Sequence, residues 1–549
     1  MGNKSEFWQG LEKKHLKKIN RLMAVDFYKN FNQKSLFFNY LLDDLIHMLI
    51  VGPTGTGKSK MVEALIRHLT KRKPRPTVIL LDPGGSTAQA VENWALKKEL
   101  FSRLAILDPA EENFYLTYNP MRRASKMKLE LQARYVQEAI LIALEIDQKD
   151  SVYYQPMLER VLYSLSHVLM ETGYGLKEAG YLLTNEPNAK AMAIIDRAKT
   201  EAVKDFWLDL QKAKARDRQQ ILALVQARLL PFLTSELIQR MAAFPERGLD
   251  FSNFIESGKL FLVNLEAGSS LSRQDSKLLA NLLISSIVRA CFSRPANTGR
   301  EVYLFIEECG EGLIGTEIGL MLRRARKQNL KVILLNQDIS SLIARNKEVF
   351  YQIWSNTNFK VAFGDLPFED LKILAYEFYG EEFNLKDLKD EIYRTYFEPK
   401  ESARTIYSSS DVDTWGESKA HTTELLGSRA SEHIAQSSSR ASMSGDSTVP
   451  FYEYLPQKEL AGREYWSIEE HLHQVMVSLK GMKRGQIALK RRNELVKVLN
   501  VPYISDIKPP ANAGAMKERI FKESGFYATI EEVEEEEARK RKEIQPYAD

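Results

Sequence analysis

At 549 residues, with 44% hydrophobic and 27% charged, the chain is long enough for several domains and too rich in apolar residues to be a disordered scaffold. Its formal net charge of +4, from 77 basic and 73 acidic residues, neither demands nor excludes a nucleic-acid partner, because clustering of charge decides that. Two distant cysteines, Cys291 and Cys309, exclude a Cys-rich zinc site and fit a reducing compartment. No run approaches the ~20 apolar residues of a membrane helix, and Met1 to Gly10 has no signal-peptide core. The expectation is a cytoplasmic protein that meets a membrane only through a partner.

Residues 1–44 read as an amphipathic helical segment anchored by Phe27, Phe31, Leu36, Phe37 and Leu41, with a basic stretch from Lys4 to Arg21. Leu45 to Val51 is an apolar run of strand length feeding a Gly-rich turn, and Lys60 to Lys71 has helical composition. Thr77 to Leu81 and Leu104 to Leu107 read as further strands ending in Asp82-Pro83 and Asp108-Pro109, with a helix from Thr87 to Leu100 between them. This alternation is the signature of a parallel α/β sheet. Residues 126–241 then show only helical periodicity, as in Val136, Ala139, Ile140 and Ala143, and are expected to be an all-α insertion. Strand character returns at Lys259 to Leu265, at Val302 to Ile306 and at Lys331 to Leu335, with a helix from Gln274 to Cys291. The predicted fold is a mostly parallel α/β domain, residues 45–125 and 242–400, interrupted by that insertion. Residues 401–450, rich in Ser, Thr, Arg and Gly, read as a flexible linker; residues 451–549 read as a small ordered segment with a charged tail, acidic from Glu531 to Glu537, that adds little core.

The octapeptide Gly52, Pro53, Thr54, Gly55, Thr56, Gly57, Lys58, Ser59 matches G-x-x-x-x-G-K-[ST] in full. Its glycines let successive backbone N–H groups converge on phosphate oxygens, and the following helix offers its positive end to the same anion. Lys58 is expected to reach the β- and γ-phosphates of ATP, and Ser59 to give a hydroxyl to Mg²⁺. A second centre is the strand end Phe305-Ile306-Glu307-Glu308, where Glu307 is expected in the Mg²⁺ shell and Glu308 as general base. Gln337, at the end of the next strand, is placed to sense the γ-phosphate or orient water. Arg323, Arg324, Arg326 and Lys327 form a basic cluster that reads either as a solvated helix end, or as an arginine finger completing the neighbouring subunit's site, with Arg326 the catalytic candidate, or as a polynucleotide contact.

Together, the P-loop, Leu80-Leu81-Asp82-Pro83-Gly84, Leu107-Asp108-Pro109 with Tyr118-Asn119-Pro120, the Glu307-Glu308 pair, and Ala325-Arg326-Lys327 leading to Asn336-Gln337 resemble the conjugative type IV coupling proteins of the HerA/FtsK superfamily, over roughly residues 45–375. The resemblance implies that the α/β domain is a RecA-like P-loop NTPase domain, and that the chain is an ATPase that pumps DNA, often with a bound relaxase, toward a secretion channel, working as a homo-hexameric ring with nucleotide between subunits. That family normally carries N-terminal transmembrane helices, which this sequence lacks. Two other readings stand beside it: a soluble HerA-like DNA translocase in DNA processing or defence, and a nucleotide-gated adaptor for protein cargo.

Overall fold

The structure is a computed structural model that describes residues 34–124, 127–143, 155–244, 248–268, 270–313, 318–380, 388–408, 445–492 and 494–544. In chain order its strands are β1 (His47–Val51), β2 (Thr77–Asp82), β3 (Leu104–Leu107), β4 (Phe114–Leu116), β5 (Leu260–Asn264), β6 (Val302–Ile306), β7 (Leu330–Asn336), β8 (Phe359–Phe363), β9 (Leu388–Ser408), β10 (Gly445–Tyr465), β11 (Gln486–Arg491), β12 (Lys497–Asn500) and β13 (Tyr527–Thr529). The chain divides into two compact units, Met1–Glu382 with Leu472–Asp549, and Phe383–His471.

The first unit is built on a nine-stranded sheet in the order β12-β11-β8-β1-β7-β6-β2-β5-β3. The strands from β8 to β3 run parallel, and β11 and β12 close one side in antiparallel pairings. Strands β1, β2, β3 and β6 are buried along their whole length. Helices cover both faces of such a sheet, so these strands read as continuous apolar runs without alternation. Helices Lys58–Leu69, Ser86–Lys97 and Arg273–Phe292 follow β1, β2 and β5 as crossover connections.

Between β4 and β5 the described chain is helical, from Leu129–Ala143 and Gln155–Thr172 to Ala215–Thr234 and Glu236–Met241. Val136, Ile140, Val161, Leu162, Leu165 and Leu169 are fully or almost fully buried, as their helical spacing requires. Arg218 is also buried; it donates to the carbonyls of Leu210 at 2.8 Å, Asn185 at 2.9 Å and Ala213 at 3.1 Å. It thereby satisfies the carbonyl end of helix Glu201–Lys212.

Three expectations change. Within the stretch read as a linker, residues 401–408 and 445–450 are strand: β9 and β10 pair antiparallel from Leu388–Tyr465 to Ser408–Gly445, while residues 409–444 lie outside the described residues. The motor sheet does not end near residue 400, since β11 and β12 from the C-terminal segment extend it beside β8. The charged tail also contributes core: Ile520, Phe521, Tyr527, Ala528 and Val533 are buried, β13 pairs with β4, and helix Ile530–Ile544 carries the acidic run, with Glu537 bonded to Lys177 at 2.5 Å. One apolar position per turn is enough to seat a helix whose other faces are charged. Of the N-terminal helical expectation, only Lys34–Leu42 falls among the described residues, with Phe37 and Leu41 buried; Phe27 and Phe31 lie outside them.

Tyr527 completes the sheet at its β3 edge. Its buried hydroxyl accepts from the N–H of Ile106 at 2.6 Å and donates to the carbonyl of Ile106 at 2.7 Å. Tyr527→Phe leaves both backbone groups buried and unpaired, and is expected to cost about 2–4 kcal/mol, read as a lower denaturation midpoint at unchanged m-value.

Candidate functional site

The site is assembled where β1, β7, β6 and β2 end side by side. Ridges of apolar side chains hold these strands in register, with Val51 beside Asn336, Ile306 beside Leu334, and Leu81 beside Ile306. The turns that follow the strands therefore meet at one sheet end, where ligands of open α/β sheets bind.

After β1, the chain turns through Gly55 at φ +85° and Gly57 at φ +115°, and Gly57 caps helix Lys58–Leu69. An L side chain is strained at such angles, whereas glycine is not. The Thr56 hydroxyl donates to the Pro53 carbonyl at 2.7 Å, and the Gly52 N–H donates to the Asn336 carbonyl at 3.3 Å, tying the loop to β7. The first-turn N–H groups of the helix point into this loop by helix geometry. Lys58 folds back over the loop, donating to the carbonyls of Gly52 and of Pro53, the latter at 3.1 Å. Burial lowers its pKa, opposed by the charges of Glu307, Glu308 and Asp338, so those three acids face the same ammonium.

Glu307 is buried, and its main-chain N–H donates to the Leu81 carbonyl at 3.1 Å. Burial, and next the neighbouring carboxylate of Asp82, push its pKa up to about 8. Asp82 is also raised by burial, although its two oxygens accept from the N–H groups of Gly84 at 3.0 Å and Ala88 at 2.8 Å. Two carboxyls this close and this dry do not both ionise readily near neutrality. Glu307 Oε1 and Thr87 Oγ1 are buried without a hydrogen-bond partner in the protein. An orphaned carboxylate oxygen beside a P-loop, with the Ser59 hydroxyl exposed on the first helical turn, is an oxygen donor set that fits Mg²⁺.

Glu308 follows in the left-handed region at φ 49°, ψ 42°. A non-glycine residue held there stores strain of about 1–2 kcal/mol, which must be stabilised by its surroundings. Asn336 supplies much of that support: its side chain accepts from the Gly310 N–H at 3.0 Å and donates to the Asp338 carbonyl at 2.6 Å and the Ser341 hydroxyl at 3.0 Å. The Gln337 amide donates to Glu308 Oε1 at 3.2 Å. Asp370 fixes the segment beyond, accepting from the N–H groups of Ile339 at 2.7 Å and Ser340 at 2.9 Å.

Of the residues singled out from sequence, the structure brings together the P-loop from Gly52 to Ser59, Glu307, Glu308 and Gln337. It does not bring Arg326 to them. Arg326 is exposed in the turn Arg326–Gln328 that precedes β7, whereas Gln337 follows β7. The strand between them spans roughly 20 Å at ~3.3 Å per residue. Arg326 thus stands at the opposite end of β7 from its own chain's site, a position open to each of the readings the sequence gives it.

Sequence reasoning left Asp82, Asp338 and Asn336 without roles, although each is a polar residue at or just beyond an apolar strand end. It also missed the C-terminal approach to the P-loop. The Gly485 N–H donates to the Thr56 carbonyl at 2.9 Å, and Lys60 pairs with Asp506. No local pattern around Gly485 marks it; the contact follows from β11 joining the sheet.

The sequence profile of the helicase HerA central domain matches residues 43–269. No curated protein sequence is detectably similar to the chain. Among solved structures, similarity extends to the bacterial conjugative coupling protein TrwBdeltaN70 in an unbound form, with 15% identity, 84% of this chain and 87% of that one covered, and a TM-score of 0.44. It extends as well to plasmid coupling protein TrwB in complex with ADP and Mg²⁺, with 13% identity, the same coverages and a TM-score of 0.44. VirB4 of Thermoanaerobacter pseudethanolicus is similar at 15% identity, over 60% of this chain and 79% of that one, with a TM-score of 0.39.

The raised Glu307 carboxyl has a consequence for stability. Its folded pKa lies above the unfolded one, so the stability it contributes is complete below about pH 4.5 and is lost as pH rises through about 8. In metal-free buffer, Glu307→Gln is therefore expected to melt higher than the parent at pH 8.5, with the gain shrinking toward pH 5. A gain independent of pH in thermal melts would contradict the assignment.

Proposed function

We propose that this chain, a member of the HerA/FtsK superfamily of P-loop ATPases, is a DNA-translocating motor that serves as the coupling ATPase of a type IV secretion or conjugation channel. The observation that carries the reading is the convergence of Lys58, the Glu307-Glu308 pair and Gln337 at one sheet end, in a chain whose residues 43–269 match the HerA central domain.

ATP is the substrate. Lys58 exchanges the carbonyls of Gly52 and Pro53 for the β- and γ-phosphates, and the loop N–H groups take the remaining phosphate oxygens. Ser59 and Glu307 would hold Mg²⁺, which would supply positive charge against the negative charge that builds up on the phosphates in transfer. Glu308 accepts the proton of the attacking water as its oxygen bonds to the γ-phosphorus and the bond to ADP breaks; Gln337, already hydrogen-bonded to Glu308, orients that water. Arg326 reaches the site of the neighbouring subunit in a homo-hexamer.

DNA as the substrate of motion is supported by the exposed Arg323, Arg324, Arg326 and Lys327, a basic cluster able to track phosphates. Delivery with a relaxase, and attachment to the membrane through a channel partner, rest on the ordered motifs shared with coupling proteins. Among the described residues no helix is long and apolar enough to cross a membrane. The HerA match favours a second reading, a translocase that processes DNA without a channel. Pull-down of a relaxase or channel subunit separates the two.

ATP turnover by assembled protein is expected to rise on adding single- or double-stranded DNA, and an unchanged rate at saturation would remove the motor reading. Glu308→Gln is expected to keep ATP affinity and lose about 100-fold or more in kcat, since a general base contributes about 10²–10⁴. Undiminished turnover would move the base elsewhere.

A further inference from the structure

The second unit holds a long two-stranded ribbon, β9 with β10, whose two faces differ in chemistry. Directly paired residues share a face, and successive pairs alternate between faces. One face is mixed, with Arg394 opposite Glu459 and Lys400 opposite Glu453 as cross-strand pairs of opposite charge, and Tyr396 opposite Gln457, Leu455 opposite Glu398 and Phe451 opposite Ser402 among them. The other face carries Tyr393 opposite Leu460, Phe397 opposite Pro456, and Pro399 opposite Tyr454. It continues through Tyr452, opposite Glu401, to Pro450, opposite Ala403. Phe397, Tyr452 and Tyr454 are 61%, 61% and 62% exposed. An isolated two-stranded ribbon is marginal in water, and a continuous aromatic stripe on one face calls for a cover.

The prolines say how the cover approaches. The ladder runs through Pro399, Pro450 and Pro456, and a residue without an N–H fits an antiparallel ladder only where its N–H would point to the outer edge. All three prolines fall on the apolar face, which agrees with that requirement. The outward row of donors is therefore broken at Pro399 on one edge and at Pro450 and Pro456 on the other, which makes each edge a weaker template for an added strand. The face, rather than the edge, is the docking surface.

The pattern of the stripe is its own complement. Turned end for end about the level of Glu398 and Leu455, Phe397 falls over Pro399, Tyr454 over Pro456, and Tyr393 over Ala403. Large residues thus meet small ones. The same rotation brings Lys458, which lies opposite Thr395, near Glu401, so the only two charges in this stretch of the apolar face become partners. We propose that this ribbon is a self-association element: it packs face to face and antiparallel on the ribbon of a second copy of this chain, with layers about 10 Å apart.

The test is a charge-reversal cycle in the full chain, read by sedimentation velocity across a concentration series. Lys458→Glu and Glu401→Lys are each expected to weaken self-association about tenfold, because the two-fold arrangement counts each pair twice, and the double variant to restore it to within about threefold. Thermal unfolding and ATP binding report that each variant is folded. The double variant Thr395→Cys/Glu401→Cys, in a chain whose native Cys291 and Cys309 are both buried, is expected to be joined into dimers by a short bismaleimide. Each single cysteine variant is not, since its two copies would sit about 20 Å apart. Reversals that leave association unchanged, a double variant no better than the singles, or single-cysteine variants that cross-link as well as the pair would overturn the proposal. So would a ribbon that binds lipid vesicles or DNA while the chain shows no ribbon-dependent association.

Discussion

Everything in the candidate site depends on β7 being paired between β1 and β6, with β2 on the far side of β6. That order is held by apolar strands buried on both faces, and a slip of one residue would turn their side chains and displace every loop at the sheet end. It sets the P-loop lysine against a pair of glutamates from a strand two places away. It also presses Glu307 against Asp82, so the site contains a carboxyl held close to neutrality by its surroundings. The packing that stabilises the sheet thus creates the electrostatic tension that a cation and a nucleotide would relieve.

The supports around the site act by fixing backbone. Asn336 joins the turn after Glu308 to the loop after β7, and Asp370 anchors the start of helix Ser340–Arg345. Glu308 can occupy a left-handed conformation because neighbours on two loops hold the turn around it. Gln337 then bridges to its carboxylate, and the two strand ends respond together to whatever sits between them.

Much of the central sheet was legible because fully buried parallel strands leave short apolar runs ended by polar residues; Thr77 to Leu81 and Val302 to Ile306 are of this kind. The G-x-x-x-x-G-K-S motif is equally local, since it encodes a turn with its own glycine angles. What escaped was set by distant pairing. Strands β11 and β12 join the sheet beside β8 from more than a hundred residues away, and their composition, with Lys490 and Arg491 in β11, does not announce a central element. Tyr527 lies in a charged tail, yet it satisfies both backbone groups of Ile106. One end of the ribbon falls in the Ser-, Thr-, Arg- and Gly-rich stretch that reads as linker, because cross-strand pairing leaves no trace in local composition.

Lys58 is the side chain whose position distinguishes this account from its rivals, because in the free protein it is held by the carbonyls of its own loop. The most direct test is an experimental structure with Mg²⁺ and a non-hydrolysable ATP analogue. Lys58 is expected to leave Gly52 and Pro53 for the β- and γ-phosphates, with the terminal phosphate facing Glu308 and Gln337. A nucleotide bound while Lys58 stays folded on those carbonyls, or with its terminal phosphate turned away from Glu308, would contradict it.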